Sequence, residues 1–245
     1  MKILAIDTST SFAAIAVSIG TSITAESLFL ADKCLSARLV PEIDKMLAIS
    51  GISIEKIDIF AAATGPGSFT GVRAGIATAQ GLALATGKAC AGFSSLSAIA
   101  MNFSLASHPV CSMLDARKSE IYAGLFDCSA LIPKPIISDT VLPPENFLEL
   151  IRTTTDQPVI FAGDGAVRYR DLIISLMGEK AIFAPFTHNA GRAASGAMLA
   201  LEAVQKEELL APHQLLPVYL RASEAEYAKL AQQKKAVQLL KNINI

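Results

Sequence analysis

The sequence predicts an α/β protein of two tandem lobes, each a mixed sheet with flanking helices. Three observations predict it. Short apolar runs of strand length alternate with longer runs of helical period. The order strand-strand-strand-helix-strand-helix-strand-helix occurs twice along the 245 residues. In each pass an acidic residue ends the first strand, and a Gly-x-Gly turn follows the fourth.

The first pass begins with a buried strand, Lys2 to Ile6, that ends at Asp7. Two more strands, Phe12 to Ile19 and Ile23 to Leu30, are joined by a turn at Gly20-Thr21. A helix from Cys34 to Ser50 carries Leu35, Leu39, Ile43, Met46 and Leu47 on one face, and Gly51 is its C-cap. Strand Ile57 to Ala63 leads through Thr64-Gly65-Pro66-Gly67-Ser68-Phe69-Thr70-Gly71-Val72-Arg73 into a small-residue helix, Thr70 to Thr86. A short strand near Ala89 to Gly92 and a helix from Ser94 to Ser107 complete the lobe, residues 1–107.

The second pass starts with strand Pro109 to Leu114, which ends at Asp115. Strands Ile121 to Cys128 and Pro135 to Leu142 follow, then a helix from Pro144 to Arg152 with proline near its start. Strand Pro158 to Ala162 runs into Gly163-Asp164-Gly165 and a helix that reaches about Met177. Strand Lys180 to Ala184 and helix Gly191 to Gln205 close the second lobe, residues 108–221. A C-terminal helix, Glu224 to Asn242, occupies the segment 222–245. Its Lys234, Lys235 and Lys241 suit the helix dipole and read as a solvated face.

The glycine-rich run after Ala63 is the most specific local signal. A strand, a glycine loop and a helix start make up the place where α/β proteins hold phosphates. The usual codes do not fit, because no Gly-Lys-Ser/Thr follows and Thr70 stands where a dinucleotide fingerprint needs glycine. A nucleophile elbow does not fit either, since Gly71 lies three residues past Ser68. Ser68 and Thr70 read as caps of the following helix. Within that helix Gly71, Gly75, Ala79 and Ala83 share one face, widened by Ala74, Thr78 and Gly81. Helical glycine costs about 1 kcal/mol against alanine, so this stripe calls for close packing, either inside the chain or against a partner. Arg73 opposes the dipole in the first turn and therefore needs a counterpart: a carboxylate of its own chain, an anion or a partner residue.

Composition narrows the function classes. Hydrophobic residues make up 52% and charged residues 18%, so a large core is available and disorder is excluded. A net charge of −1 gives no overall electrostatic footprint for nucleic acid. Cys34, Cys90, Cys111 and Cys128 are scattered, without a C-x-x-C pair. No signal peptide or membrane-spanning run is evident, and a cytoplasmic protein with reduced thiols is expected.

Two such lobes resemble the actin-like, sugar-kinase-type (ASKHA, RNase H-like) superfamily, in which nucleotide binds between the lobes. On that analogy Asp7, Thr8, Gly65, Gly67, Gly163, Asp164 and Gly165 are candidates for nucleotide binding or for purely structural turns. A narrower match rests on Leu4-Ala5-Ile6-Asp7-Thr8-Ser9-Thr10, Gly65-Pro66-Gly67-Ser68-Phe69-Thr70-Gly71-Val72-Arg73 and Gln80-Gly81-Leu82-Ala83. It also rests on Asp115-Ala116-Arg117-Lys118-Ser119-Glu120-Ile121-Tyr122 and Pro217-Val218-Tyr219-Leu220-Arg221. These blocks resemble the TsaB (YeaZ-type) family over nearly the whole chain.

The resemblance implies a non-catalytic subunit. It would pair with a TsaD-like catalytic paralogue and a TsaE-like ATPase, and would form a homodimer when alone. The assembly transfers a threonylcarbamoyl group from its adenylate, made by TsaC, to the adenosine beside the tRNA anticodon. On this reading the chain has no catalytic residue, metal or cofactor of its own. ATP and metal belong to partner subunits, tRNA is met only through the complex, and no membrane is involved. The paralogue's His-x-x-x-His metal pair is missing, because His108, His188 and His213 lie far apart. The family's histidine before the first helix is replaced by Leu35. The resemblance places partner contacts on the first two helices, with Leu35, Leu39, Ile43, Met46, Gly71, Val72, Gly75, Ile76, Ala79 and Ala83 as candidates. A nucleotide-dependent enzyme of the same superfamily, or an M22-type peptidase, are the alternatives.

Overall fold

The structure, a computed structural model, describes residues 1–31 and 35–221. Cys34 and the C-terminal helix expected over 224–242, with its three lysines, lie outside the described residues.

The first sheet contains β1 (Lys2–Asp7), β2 (Phe12–Ile19), β3 (Ser22–Leu30), β4 (Ile59–Gly65) and β5 (Ala89–Ser94). Their order is β3-β2-β1-β4-β5; β1 to β3 form an antiparallel meander, while β1, β4 and β5 run parallel. The second sheet contains β6 (Val110–Arg117), β7 (Glu120–Asp127), β8 (Lys134–Leu142), β9 (Val159–Ala162) and β10 (Ala181–Phe183). Its order, β8-β7-β6-β9-β10, repeats the first sheet strand for strand. The doubling expected from the sequence is therefore present in the topology.

Helices cover both faces of the first sheet, which is why its central strands are apolar on both sides. Leu4 and Ile6 of β1 and Phe60 and Ala62 of β4 pack under α1 (Leu35–Ser50) and α2 (Phe69–Thr86). Ile3, Ala5, Ala14, Ala16, Ile59 and Ala61 face the other way, against Ala193, Ala197 and Ala200 of α7 (Ala193–Gln205). Alanine on both sides of that contact brings helix and sheet close together.

The lobes exchange helices. The α7 helix, last in the second half of the sequence, belongs to the core of the first sheet. The α3 helix (Ser95–Ala100), last in the first half, packs Leu96, Ile99 and Ala100 against Val110, Leu114 and Phe126 of the second sheet. The second sheet's other core is closed by α4 (Pro144–Thr154), α5 (Asp164–Arg168) and α6 (Arg170–Met177).

Two helices are shorter than the sequence predicts. The run from Ser94 to Ser107 is helical only to Ala100, with a 3-10 turn over Met101–Phe103. Asn102 there donates to the carbonyls of His188 and Ala190, and Leu105 takes a φ of +68°, so the chain turns away. The helix predicted to follow Gly163-Asp164-Gly165 and reach about Met177 breaks at Tyr169, whose φ and ψ of −102° and 24° separate α5 from α6.

Candidate functional site

Both strand-end acids and both glycine turns lie at the junction of the lobes. Asp7 ends β1 and is 3% exposed. Its Oδ1 accepts hydrogen bonds from the Ser9 amide at 2.9 Å and the Ser9 hydroxyl at 2.6 Å, closing an Asx turn. Burial pushes its carboxyl above the usual value, and the Ser9 hydrogen bonds offset only part of that. The Asp7 Oδ2 is buried without a hydrogen-bond partner among the described residues and faces Gly191.

The glycine loop after β4 is packed onto this turn. The Ser68 amide donates to the Ser9 carbonyl at 2.6 Å. The Thr8 hydroxyl donates to the Gly71 carbonyl at 2.7 Å. A Cβ at Gly67 would lie 2.2 Å from the Ser9 carbonyl oxygen, and one at Gly71 2.0 Å from that of Thr8. One at Gly75 would meet Thr8 Oγ1 at 2.5 Å. The glycines thus make room for the end of β1. Gly65, at the start of the loop, sits under the Val218 carbonyl, whose oxygen a Cβ there would meet at 3.2 Å. The Ser68 hydroxyl accepts from the Gly71 amide at 3.3 Å and caps α2.

The second lobe repeats the arrangement. A Cβ at Gly163 would lie 2.0 Å from the Met113 carbonyl oxygen, and Gly165 also rests on Met113. Asp164 accepts from the Asp115 amide at 3.0 Å. Burial, more than the nearby Asp115 charge, raises its pKa against the hydrogen bonds that lower it. Asp115 is bound by Arg168 at 2.9 Å and by Arg117 at 3.9 Å. Asn189 and Gly191 tie the two turns together: Asn189 Oδ1 accepts from the Gly163 amide at 3.0 Å, and Gly191 closes over Asp7. Neither residue carries a motif, so sequence reasoning missed both.

The small-residue stripe does not form an outward surface. Leu39, Ile43, Met46, Val72, Ile76, Ala79 and Ala83 lie in the core beneath α1 and α2, Gly71 and Gly75 are buried beside Thr8, and Leu35 is partly buried. Apart from the partly buried Leu35, these expected partner contacts are corrected to internal packing, because the sheet and the end of β1 occupy that face. The outward faces carry Val40 and Ile49 of α1 and Ala77, Gly81 and Leu84 of α2. A Cβ at Gly81 would meet nothing within 4 Å.

Among the described residues Arg73 finds no carboxylate. Its guanidinium lies 3.7 Å from the Phe69 ring centroid, and its Nε donates to the Tyr219 hydroxyl at 2.6 Å. Phe69 and Tyr219 stack at 5.4 Å, so an aromatic pair takes the role expected of an acid. The Pro217–Arg221 block thereby reaches the first lobe. It also pairs Val218 with Thr64 through a 2.9 Å backbone hydrogen bond. Arg221 crosses to the second lobe, where it binds Glu120 at 2.7 Å and the Ala116 carbonyl at 3.0 Å. Four separate sequence blocks thus meet at one junction.

Among the described residues, no group of three or more His, Cys, Asp or Glu side chains is placed to hold a metal ion. The buried thiols of Cys90 and Cys128 are pushed up to about 11 and about 12, and Cys111 is also raised by burial, which keeps them protonated and inert. No helix among the described residues is long and apolar enough to cross a membrane.

Residues 29–229 match the model of the family described as TsaD, tRNA N6-adenosine threonylcarbamoyltransferase. The tRNA threonylcarbamoyladenosine biosynthesis protein TsaB of Bacillus subtilis (strain 168) is 29% identical over 234 residues, 96% of this chain and all of that one. The protein of the same name from Haemophilus influenzae is 38% identical over 124 residues, half of this chain and 52% of that one. YeaZ from Pseudomonas aeruginosa superposes with a TM-score of 0.77 at 27% identity, over 89% of this chain and 99% of that one. A Pseudomonas aeruginosa structure described as similar to peptidase YeaZ gives the same score and identity, over 90% of this chain and 99% of that one. The ROK hexokinase of Thermus thermophilus, at 12% identity and a TM-score of 0.52 over 83% of this chain and all of that one, shares the fold.

Proposed function

Because this chain belongs to the family of the tRNA threonylcarbamoyltransferase TsaD, and within it to the TsaB (YeaZ-type) branch, we propose that it is a non-catalytic subunit for threonylcarbamoyladenosine formation in tRNA. It pairs with a TsaD-like catalytic paralogue and works with a TsaE-like ATPase; alone it self-associates. ATP and metal sit on those partners. The chain's contribution is to hold and activate the paralogue for threonylcarbamoyl transfer to the adenosine next to the anticodon.

The packing of the glycine turns carries this reading. In a phosphate-binding loop, backbone amides point into open space. Here the Ser68 amide is spent on Ser9, Gly67 and Gly71 lie against the carbonyls of Ser9 and Thr8, and Gly163 lies against that of Met113. In both lobes the chain's own backbone fills the space beside these glycines. A peptidase reading finds no support at Ser68, whose hydroxyl is committed to the α2 cap.

The partner docks, on this proposal, against the outward faces of α1 and α2, where Ala77 and Gly81 allow close helix approach and Val40, Ile49 and Leu84 supply apolar contact. The test is single-turnover transfer to tRNA by the paralogue with the ATPase, ATP and the adenylate, with and without this chain. Transfer should require the chain, and Gly81→Leu should abolish both complex formation and transfer while leaving the fold intact. Equal transfer without the chain overturns the proposal.

A further inference from the structure

The α2 helix is almost free of charge although one side of it meets water. Of its 18 residues only Arg73 is charged. Its exposed positions after Phe69 are Thr70, Arg73, Ala77, Gly81, Leu84 and Ala85. The helices α4 and α6 differ: the first exposes Glu145, Glu149 and Arg152, the second Arg170 and Asp171. A helix face left to solvent is normally charged or polar, and depletion of charge marks the core of a protein–protein contact.

A segment beside α2 shares this character. Residues 209–220 include no Asp, Glu, Lys or Arg. They run along α2 toward its N-terminus. Gln80 Nε2 donates to the carbonyls of Pro212 at 2.9 Å and Leu215 at 3.0 Å. Seven residues back along the helix, Arg73 Nε donates to the hydroxyl of Tyr219, whose ring stacks on Phe69. Seven helical residues rise about 10 Å, which a nearly extended run from Leu215 to Tyr219 spans. The segment is fastened by the fully buried Leu215 and by the backbone of Val218, whose amide donates to the Thr64 carbonyl at 2.9 Å. Leu216 and Val218 are left 61% and 54% exposed. Ala77 and Leu84 lie one turn on either side of Gln80, on the flank that meets the segment, and Leu84 is 68% exposed. Single exposed leucines are ordinary; several along two joined, nearly uncharged elements form a patch.

We propose that Leu216 and Val218 are a second wall of the surface that takes the catalytic paralogue. A helix of the paralogue laid over Ala77 and Gly81 is bounded on one flank by this segment. The small residues let the helix axes approach to about 8 Å, so side chains on the incoming helix reach Leu216 and Val218. The occupant that fits is a helix with an apolar, uncharged contact face, because a charge buried against these groups would have no partner. The choice of the paralogue rests on the function proposed above, since the segment continues the α2 face assigned there to docking.

The test uses the full chain and its cognate paralogue, with association followed by isothermal titration calorimetry. Leu216→Ser/Val218→Ser should weaken association by at least about tenfold. Leu216→Met/Val218→Ile keeps the apolar area and should bind like wild type. Phe186→Ser, which removes an 89% exposed ring from the second lobe, should also bind like wild type. In the wild-type complex, amide exchange at Leu216, Val218 and Tyr219 should be slower than in the free chain. That measurement needs no variant, so it decides even where the serine pair folds poorly.

Unchanged affinity in the serine pair overturns the proposal. Equal loss in the Met/Ile pair or in Phe186→Ser also overturns it, and so does exchange at those amides that docking leaves unchanged. Gly81→Leu separates this proposal from the docking reading beneath it. If Gly81→Leu abolishes association while the serine pair binds normally, docking on α2 stands and the second wall falls. If the serine pair weakens association and Gly81→Leu does not, the segment stands as a contact and the α2 face falls. A paralogue that transfers equally well without the chain defeats the proposed function, while the calorimetry still reads the contact.

Discussion

Thr8 shows how little space a single methyl group has at the lobe junction. Its carbonyl lies where a Gly71 side chain would begin, and its hydroxyl is bonded to the Gly71 carbonyl. Gly71→Ala should therefore destabilise the chain by about 1–3 kcal/mol through overpacking, lowering the thermal midpoint by several degrees. Gly81→Ala, with open space around it, should instead stabilise by up to about 1 kcal/mol through helix propensity alone. Both are read by calorimetry; equal effects would sink the packing argument. Asp7 gives a pH signature. Its folded pKa is raised by burial above the ordinary 3.8, so at neutral pH the ionised form costs stability. The cost disappears as pH falls through the raised value toward 3.8. Asp7→Asn should accordingly be more stable than wild type at pH 7, with the difference shrinking on acidification; a constant difference would contradict the assignment.

Each of the first two helices has two useful faces. Ile43 of α1 is 1% exposed within the core, whereas Ile49 on the same helix is 61% exposed. Ile43→Ala should cost about 2–5 kcal/mol in denaturant unfolding. Ile49→Ala should stay within about 0.5 kcal/mol of wild type while weakening association with the paralogue in a pull-down. A large stability loss at Ile49, or unchanged association, would argue against the outward face as the docking surface. The same distinction explains why Gly75→Leu would be a poor probe of assembly. Its side chain would strike Thr8 and report on folding, not docking.

At the scale of the molecule, the lobes are bound by crossed helices and a strap. The α3 and α7 helices each serve the other half's sheet, so neither half of the sequence carries a complete core. The strap from Pro217 to Arg221 is the lighter fastening, with Val218 on Thr64 and Arg221 on Ala116 and Glu120. Arg221→Met should speed amide exchange at Val218 and in the β6–β7 turn. The thermal midpoint should change little, because the crossed helices still hold the lobes. A global rise in exchange would mean that the strap, and not the helices, secures the junction.

The sequence by itself determined the doubled topology, because strand and helix periods and the two strand-end acids with their glycine turns are local signals. The Pro144–Thr154 helix, with proline at its start, is one such case. It also determined the family, through blocks that cover most of the chain. Only the tertiary structure decided what those residues face. A stripe of Gly71, Gly75, Ala79 and Ala83 records close approach without naming the neighbour, and the neighbour proved to be the chain's own Thr8 and first sheet. Arg73 required a counterpart, but its partner Tyr219 stands 146 residues away, beyond any local pattern. Asn189 and Gly191 carry no motif, and their role arises only where two distant turns are brought side by side. Periodicity fixes which face of an element is buried; what it is buried against depends on contacts between segments far apart in the chain.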